Sequence, residues 1–270
     1  MTLREEAGYE AIRVWLSRRC GIAYPEHKGE LLRQRLTRVR RAYDLGSLAD
    51  IALRLDAQGS HELELAVMHA ASTNHTYFCR EPDVLDAFRA MVLPVLARRE
   101  QIRIWSAACS SGDEVYTIAM MIAETLGPEG LARTQILGTD ISAPMVEQAE
   151  QGIYRRRHLE QVPDAVLRRW FVPLGGGSYR VAPEIAAACT FRRMNLKTRP
   201  FPFRKPFQAI FCRNVLYYFD RADQAETLRA LHAATEPGGW LVTSVTESLR
   251  GHETGWRSLG GGLHQKEVRR

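Results

Sequence analysis

No apolar run in the 270-residue sequence reaches the roughly eighteen residues that a membrane-spanning helix needs. The opening stretch, MTLREEAGYE, does not read as a secretory signal. The five cysteines (Cys20, Cys79, Cys109, Cys189 and Cys212) are odd in number and show no paired zinc-type spacing. Reduced thiols in a cytoplasm, without membrane insertion, are therefore the expectation. None of the eight histidines stands in an HxxxH or similar ligand spacing, so no metal is expected. A GxGxxG fingerprint is also missing. That disfavours a dinucleotide, whose pyrophosphate needs such glycines, and favours S-adenosylmethionine (SAM), which has no phosphate to cradle. What is present is ordinary for a globular chain of one large domain or two smaller ones: 45% of residues are hydrophobic. The net charge of +6 points to an acidic partner, either nucleic acid or an acidic protein surface.

The chain is organised around IRIWSAACSSGDEVYTIAMMI, residues 102–122. Ile102, Ile104 and Trp105 read as a buried strand. Residues 106–112 are all small, which suits a tight turn where backbone approaches a ligand. Asp113 and Glu114 open a helix with Ser110 or Ser111 as N-cap, and Val115, Ile118, Ala119 and Ile122 fall at helical spacing. A second strand, 135–141, ends in Asp140, placed to accept hydrogen bonds from ribose hydroxyls. Taken alone, this unit is also compatible with an ordinary β–α turn.

Residues 1–70 read as four helices with no strand pattern, the second starting at Pro25 and the fourth running from about Ser60 to Ala71. The second carries Arg33, Arg35, Arg38, Arg40 and Arg41 with no acid among them, either a solvated face or a docking surface for acidic helices or phosphates. STNHTYFCREP, 72–82, is a polar junction leading into a helix from Pro82 to Leu96. Beyond it strands and helices alternate. The rhythm breaks at 153–194, where LGGGSYRV and a returning strand at 187–192 read as a small β insertion. FQAIFCRNVLYYF, 207–219, is a strong buried strand followed by Arg213-Asn214. A helix from Arg221 to Thr235 stops at Pro237-Gly238-Gly239, Trp240–Val245 is a strand, and the last twenty residues are only weakly strand-like. In a doubly wound sheet, the 106–114 loop, Asp140, Asn195 and residues 212–214 share one cleft at the carboxyl ends of the strands, with the 72–82 junction over it.

These stretches resemble the CheR-type chemotaxis receptor methyltransferases, which methylate receptor glutamates with SAM. The family's TTNxTxFFRE is STNHTYFCRE here, its WSAxxSTGEEPYSIAM is WSAACSSGDEVYTIAM, and its FDxIFCRNVxIYFD is FQAIFCRNVLYYFD. The match runs from about Cys20 to about Glu247. Departures are Cys79 for Phe, Val115 for Pro, and SVTE (244–247) for the family's GHSE.

The resemblance implies an α/β fold. A Rossmann-like SAM methyltransferase domain, doubly wound and mostly parallel, is expected over 73–270, with a β-subdomain insertion at about 165–193. An all-α N-terminal domain is expected over 1–72. It implies cofactor contacts from Asn74, Thr76, Arg80, Glu114, Asp140, Asn195, Leu196, Cys212 and Arg213. Arg80, Arg213 and Tyr218 would lie near the transferred methyl and the substrate carboxylate, with S-adenosylhomocysteine as product. The partners would be cytoplasmic helices of methyl-accepting receptors, docked on the arginine-rich helix, with no nucleic acid and a monomeric enzyme. In this family the β-subdomain can grip a peptide at the receptor C-terminus. Here VPLGGGS, 172–178, is shorter than the family's peptide-gripping loop, so no tether peptide is expected. A SAM-dependent RNA methyltransferase and a non-catalytic SAM-binding signalling module are the competing readings.

Overall fold

The computed structural model describes residues 3–24, 29–57, 60–72 and 75–268. The helical part comprises α1 (Leu3–Cys20), α2 (Gly29–Ala42), α3 (Leu48–Asp56) and α4 (His61–Ala71). Pro25, the expected start of α2, lies outside the described residues. Ile12 and Leu16, Leu32 and Leu36, Ile51, and Leu63 and Val67 come from the four helices in turn, and all are fully buried in one core. Ser47 and Ser60 cap α3 and α4, each accepting from a backbone N–H three residues on, at 3.2 Å. Gly8 lets α1 cross close to α3, because a Cβ there would sit 2.3 Å from the Ala49 nitrogen.

The helix expected over 82–96 is two pieces, α5 (Pro82–Met91) and α6 (Leu93–Leu96). Pro94 cannot donate into a continuous ladder and sits in the first turn of the second piece. The α/β part continues with β1 (Ile102–Ser106), α7 (Asp113–Ala132), β2 (Thr134–Asp140), α8 (Ala143–Gln151), β3 (Ile153–Arg155), α9 (Asp164–Trp170), β4 (Phe171–Gly175), β5 (Ser178–Val181) and α10 (Pro183–Ala187). It ends with β6 (Cys189–Arg193), β7 (Phe207–Phe211), α11 (Arg221–Ala234), β8 (Thr235–Val242), β9 (Trp256–Gly260) and β10 (Leu263–Lys266). Among the described residues no helix is long and apolar enough to cross a membrane.

Seven strands form one sheet in the order β6-β2-β1-β7-β8-β10-β9. The first five run parallel, and β10 and β9 close the edge antiparallel. The tail is therefore part of the sheet, with β10 wedged between β8 and β9 and Leu263 and His264 buried. The β insertion also differs from expectation. Its three antiparallel strands, β3-β5-β4, span residues 153–181, and the returning strand at 189–193 belongs to the main sheet beside β2. That strand buries only one side chain deeply, Phe191, so its sequence barely alternates. Pro237-Gly238-Gly239 does not end α11. β8 starts directly at Thr235 and takes these residues into an irregular register beside β7.

Candidate active site

β1, β2, β6 and β7 all deliver their carboxyl ends to one side of the sheet. Between those ends and the C-terminal turns of α1 and α4 lies a cleft open to solvent.

The loop after β1 is held by main-chain bonds. Ala107 N donates to Phe211 O at 2.8 Å, and Cys109 N to Thr139 O at 2.9 Å. Gly112 closes the turn with φ 89°, and a Cβ there would lie 2.8 Å from the Ala149 Cβ, so only glycine fits. Gly112 itself is the N-cap of α7, and the expected Ser110 or Ser111 cap is not formed. Ser111 instead donates to Asp113 Oδ2 at 2.6 Å. Glu114, in the first turn of α7, accepts from Ser106 Oγ at 2.8 Å and from Arg213 Nη1 at 2.9 Å. Asp140 accepts from Ser110 N at 2.8 Å and Ser142 N at 2.9 Å. Burial pushes its carboxyl above the ordinary value, and these amide bonds offset only part of the rise.

Arg213 is almost fully buried, 3% exposed, and its charge is already matched. Besides Glu114 it meets the Arg80 carbonyl at 2.7 Å and Glu81 Oε2 at 3.4 Å. Glu81 Oε1 accepts from Asn214 Nδ2 at 3.0 Å and Ser244 Oγ at 2.9 Å. Burial alone would raise the Glu81 carboxyl. The Asn214 hydrogen bond, the Arg213 charge and the Ser244 hydrogen bond outweigh it and hold the group below the usual carboxylate range. Arg80 is more open. Its Nη1 donates to the His75 carbonyl at 2.8 Å, and its Nε lies 3.9 Å from Glu81.

Thr76, Arg80, Glu114, Asp140, Asn195, Leu196, Arg213 and Tyr218 all line the cleft. Asn74 lies outside the described residues. Cys212 does not line the cleft. Its side chain is fully buried in the core beside the sheet, and burial raises its thiol well above the ordinary value. Asn195 lines the cleft, but its amide is committed elsewhere. Nδ2 donates to the Arg19 carbonyl at 2.8 Å and Oδ1 accepts from Lys197 N at 2.9 Å, tying the end of α1 to the catalytic domain. Tyr218 packs on Tyr217 with ring centroids 4.4 Å apart.

The expected docking set also shrinks. Arg33 pairs with Glu6 at 2.7 Å and stacks over the Tyr9 ring. Arg35 donates to the Ala70 and Ser72 carbonyls, and Arg40 to the Gly46 carbonyl at 2.7 Å. Arg38 and Arg41 are the two that face solvent.

Two further features mark the cleft. Among the described residues, five non-glycines have positive φ, and four of them (Cys79, Glu81, Ser110 and Asn214) cluster here. Ser110 Oγ, Arg213 Nε and Glu81 Oε2 are buried without a hydrogen-bond partner among those residues. Unmet polar atoms, an acid at the end of β2, an acid on α7 and a half-buried arginine together match a ligand with hydroxyls and both signs of charge. SAM is such a ligand.

A doubly wound parallel sheet with an antiparallel edge pair and this cleft at its carboxyl ends is a Rossmann-like ligand-binding architecture. Residues 74–262 match the CheR methyltransferase SAM-binding domain and residues 7–68 match the CheR all-alpha domain. The chain therefore belongs to the CheR methyltransferase family. It is 34% identical over 251 residues to the chemotaxis protein methyltransferase Cher2 of Pseudomonas putida, covering 90% of each chain. It is 36% identical over 252 residues to the chemotaxis protein methyltransferase of Escherichia coli, covering 90% of this chain and 85% of that one. Among solved structures it is similar to SAM-bound CalS10, an amino pentose methyltransferase from Micromonospora echinaspora, at 20% identity and TM-score 0.35, over 67% of this chain and 54% of that one.

Proposed function

We propose that the protein transfers the methyl group of SAM to glutamate side chains of chemotaxis receptors, giving methyl esters and S-adenosylhomocysteine. The observation that carries this reading is the buried Glu114–Arg213 pair set between Asp140 and Arg80 in one cleft of a CheR-family chain. Free cysteines throughout fit work in the cytoplasm.

When bound, SAM supplies an electrophilic sulfonium methyl. Asp140 would accept from its ribose, Glu114 would face its cationic end, and Thr76 and Leu196 would complete the walls. A substrate glutamate has an ordinary pKa of about 4.3 and is already ionised at neutral pH, so no general base is required. Catalysis then rests on aligning the carboxylate with the methyl and sulfur. Arg213 is buried, with both terminal nitrogens committed to Glu114, Glu81 and the Arg80 carbonyl, so it acts as a positioning residue. Arg80 keeps guanidinium donors toward the cleft and is the residue for an incoming carboxylate, with Tyr218 at the rim. The test is transfer of radiolabelled methyl from SAM to receptor-containing membranes. Base-labile label in the receptor is expected, and its absence, or label entering RNA instead, would overturn the reading. The RNA alternative is disfavoured because three of the five arginines on α2 are spent within the helical domain.

Residues 1–72 would be the docking domain and 73–270 the catalytic one. Arg38 and Arg41 then meet the acidic receptor helix. Reversing both to glutamate is expected to lower receptor kcat/KM about tenfold at low salt, with SAM affinity unchanged, since charge steering changes encounter rates by about that factor or more. Equal methylation rates at low and moderate salt would make α2 a merely solvated face.

The receptor is engaged without a C-terminal tether peptide. β4 is one of the two outer strands of the small sheet, but Pro173 lacks an N–H and the pairing with β5 is irregular between Pro173 and Gly175. Both features blunt an edge for strand addition. Titrating an aromatic, acidic receptor-tail pentapeptide should give no heat at millimolar concentration, and micromolar binding would refute this.

A further inference from the structure

The stretch 244–247, SVTE, keeps only the final glutamate of the family's GHSE, and the structure shows what that residue does. Glu247 is buried and lies outside the cleft lining. Its carboxylate accepts four backbone amides: Asn214 N at 2.7 Å and Ser244 N at 3.2 Å on Oε2, and Val215 N and Leu216 N, both at 2.8 Å, on Oε1. Three of these donors are consecutive residues of the turn that follows β7. That turn begins with Asn214 in the left-handed region, φ 58°, a conformation that asparagine tolerates but that must be held from outside. Arg213, Asn214, Val215, Tyr218 and Phe219 all line the cleft from this one segment. A second carboxylate holds the same turn from the other side, because Glu81 accepts from the Asn214 side chain and from Ser244 Oγ.

We infer that Glu247 is a positioning residue for methyl transfer, its carboxylate fixing the 214–216 turn and thereby the placement of Tyr218 in the cleft and of Arg213 in the ion pairs that hold Glu114 and Glu81. A carboxylate is required there, since four N–H donors converge on two oxygens that each accept twice. Glutamine keeps one oxygen and turns an NH2 toward the remaining donors, so part of the turn is released while the volume is conserved. The inference rests on the methyltransferase reading above, and wild-type receptor methylation measured alongside keeps the two apart.

Glu247→Gln should fold, bind SAM within about threefold of wild type, and lose about tenfold to a hundredfold in kcat, the scale expected when a reacting group is displaced by about an ångström. Glu247→Asp should recover part of that loss. A purely structural role would lower the melting temperature and leave kcat per folded molecule unchanged, so a kcat within twofold of wild type overturns the inference. If Glu247→Gln does not fold, hydrogen exchange on the wild-type protein decides. The amides of Asn214, Val215 and Leu216 should be protected like those of β7, and exchange at open-loop rates would refute the clamp.

Discussion

Arg213→Ala is expected to destabilise the protein by about 3 kcal/mol and to abolish measurable methyl transfer. Removing one partner of a buried pair costs about 3–5 kcal/mol because the other charge is left uncompensated. The lower end applies because Glu114 and Glu81 keep 15% and 21% side-chain exposure. Glu81 adds a pH signature. Its carboxyl is held below the usual range in the fold, so it contributes stability above its unfolded value of about 4.3, and that stability is lost as pH falls through the lower folded value. Without the Arg213 charge, burial has less to oppose it, the folded value rises, and the acid-side loss moves to higher pH. Arg213→Met combined with Glu114→Gln should restore part of the stability, since no buried acid is then abandoned at Glu114, but none of the activity. Urea denaturation at several pH values checks all of this. An Arg213→Ala protein within 1 kcal/mol of wild type at neutral pH would remove the buried pair from the account of the site.

The reach of the sequence follows the same physics. Ile102–Ser106, the small-residue turn, the first turns of α7 and the acid ending β2 were readable because each is defined by neighbours in the chain: apolar alternation, small residues and helical spacing. β6 was readable as a strand, at 187–192 against Cys189–Arg193, but not its sheet, because its partner β2 lies about fifty residues back in the chain; β10 was not readable, because it is short. β10 offers two adjacent buried residues, Leu263 and His264, which is no alternation at all. In the site, the sequence placed Arg213 and Asn195 in the right cleft but could not see depth or competition. Arg213 is spent on Glu114 and Glu81, and the Asn195 amide on a carbonyl 176 residues away. Glu81 and Glu247 were passed over despite standing inside the quoted stretches. Their partners are largely backbone N–H groups and small polar side chains, which leave no spacing pattern to find.

Asp140→Ala is expected to weaken SAM binding by about 2 kcal/mol, or about thirtyfold, by removing a charged acceptor from the ribose hydroxyls. Each Asp140 oxygen already receives one loop amide, and a carboxylate oxygen can accept a second donor, so ribose bonds are additional to the Ser110 and Ser142 bonds. The substitution therefore has two consequences that must be separated. Orphaning the buried Ser110 amide costs about 1–3 kcal/mol of folding stability by itself. Losing the ribose contact costs affinity only. A product analogue with a 2′-deoxyribose separates them. Wild type should bind it more weakly than S-adenosylhomocysteine, whereas Asp140→Ala should bind the two alike, the signature of a direct coupling in a double-mutant cycle. Acidification gives an independent check. Because burial raises the Asp140 carboxyl, neutralisation and the accompanying loss of SAM affinity should begin at higher pH than for an exposed aspartate of about 3.9. The sign for folding is opposite: protonation relieves a buried charge, so the contribution of this group to stability improves over the same pH range. Unchanged calorimetric affinity in Asp140→Ala, or equal discrimination of the deoxy analogue by both proteins, would show that Asp140 only braces the loop after β1.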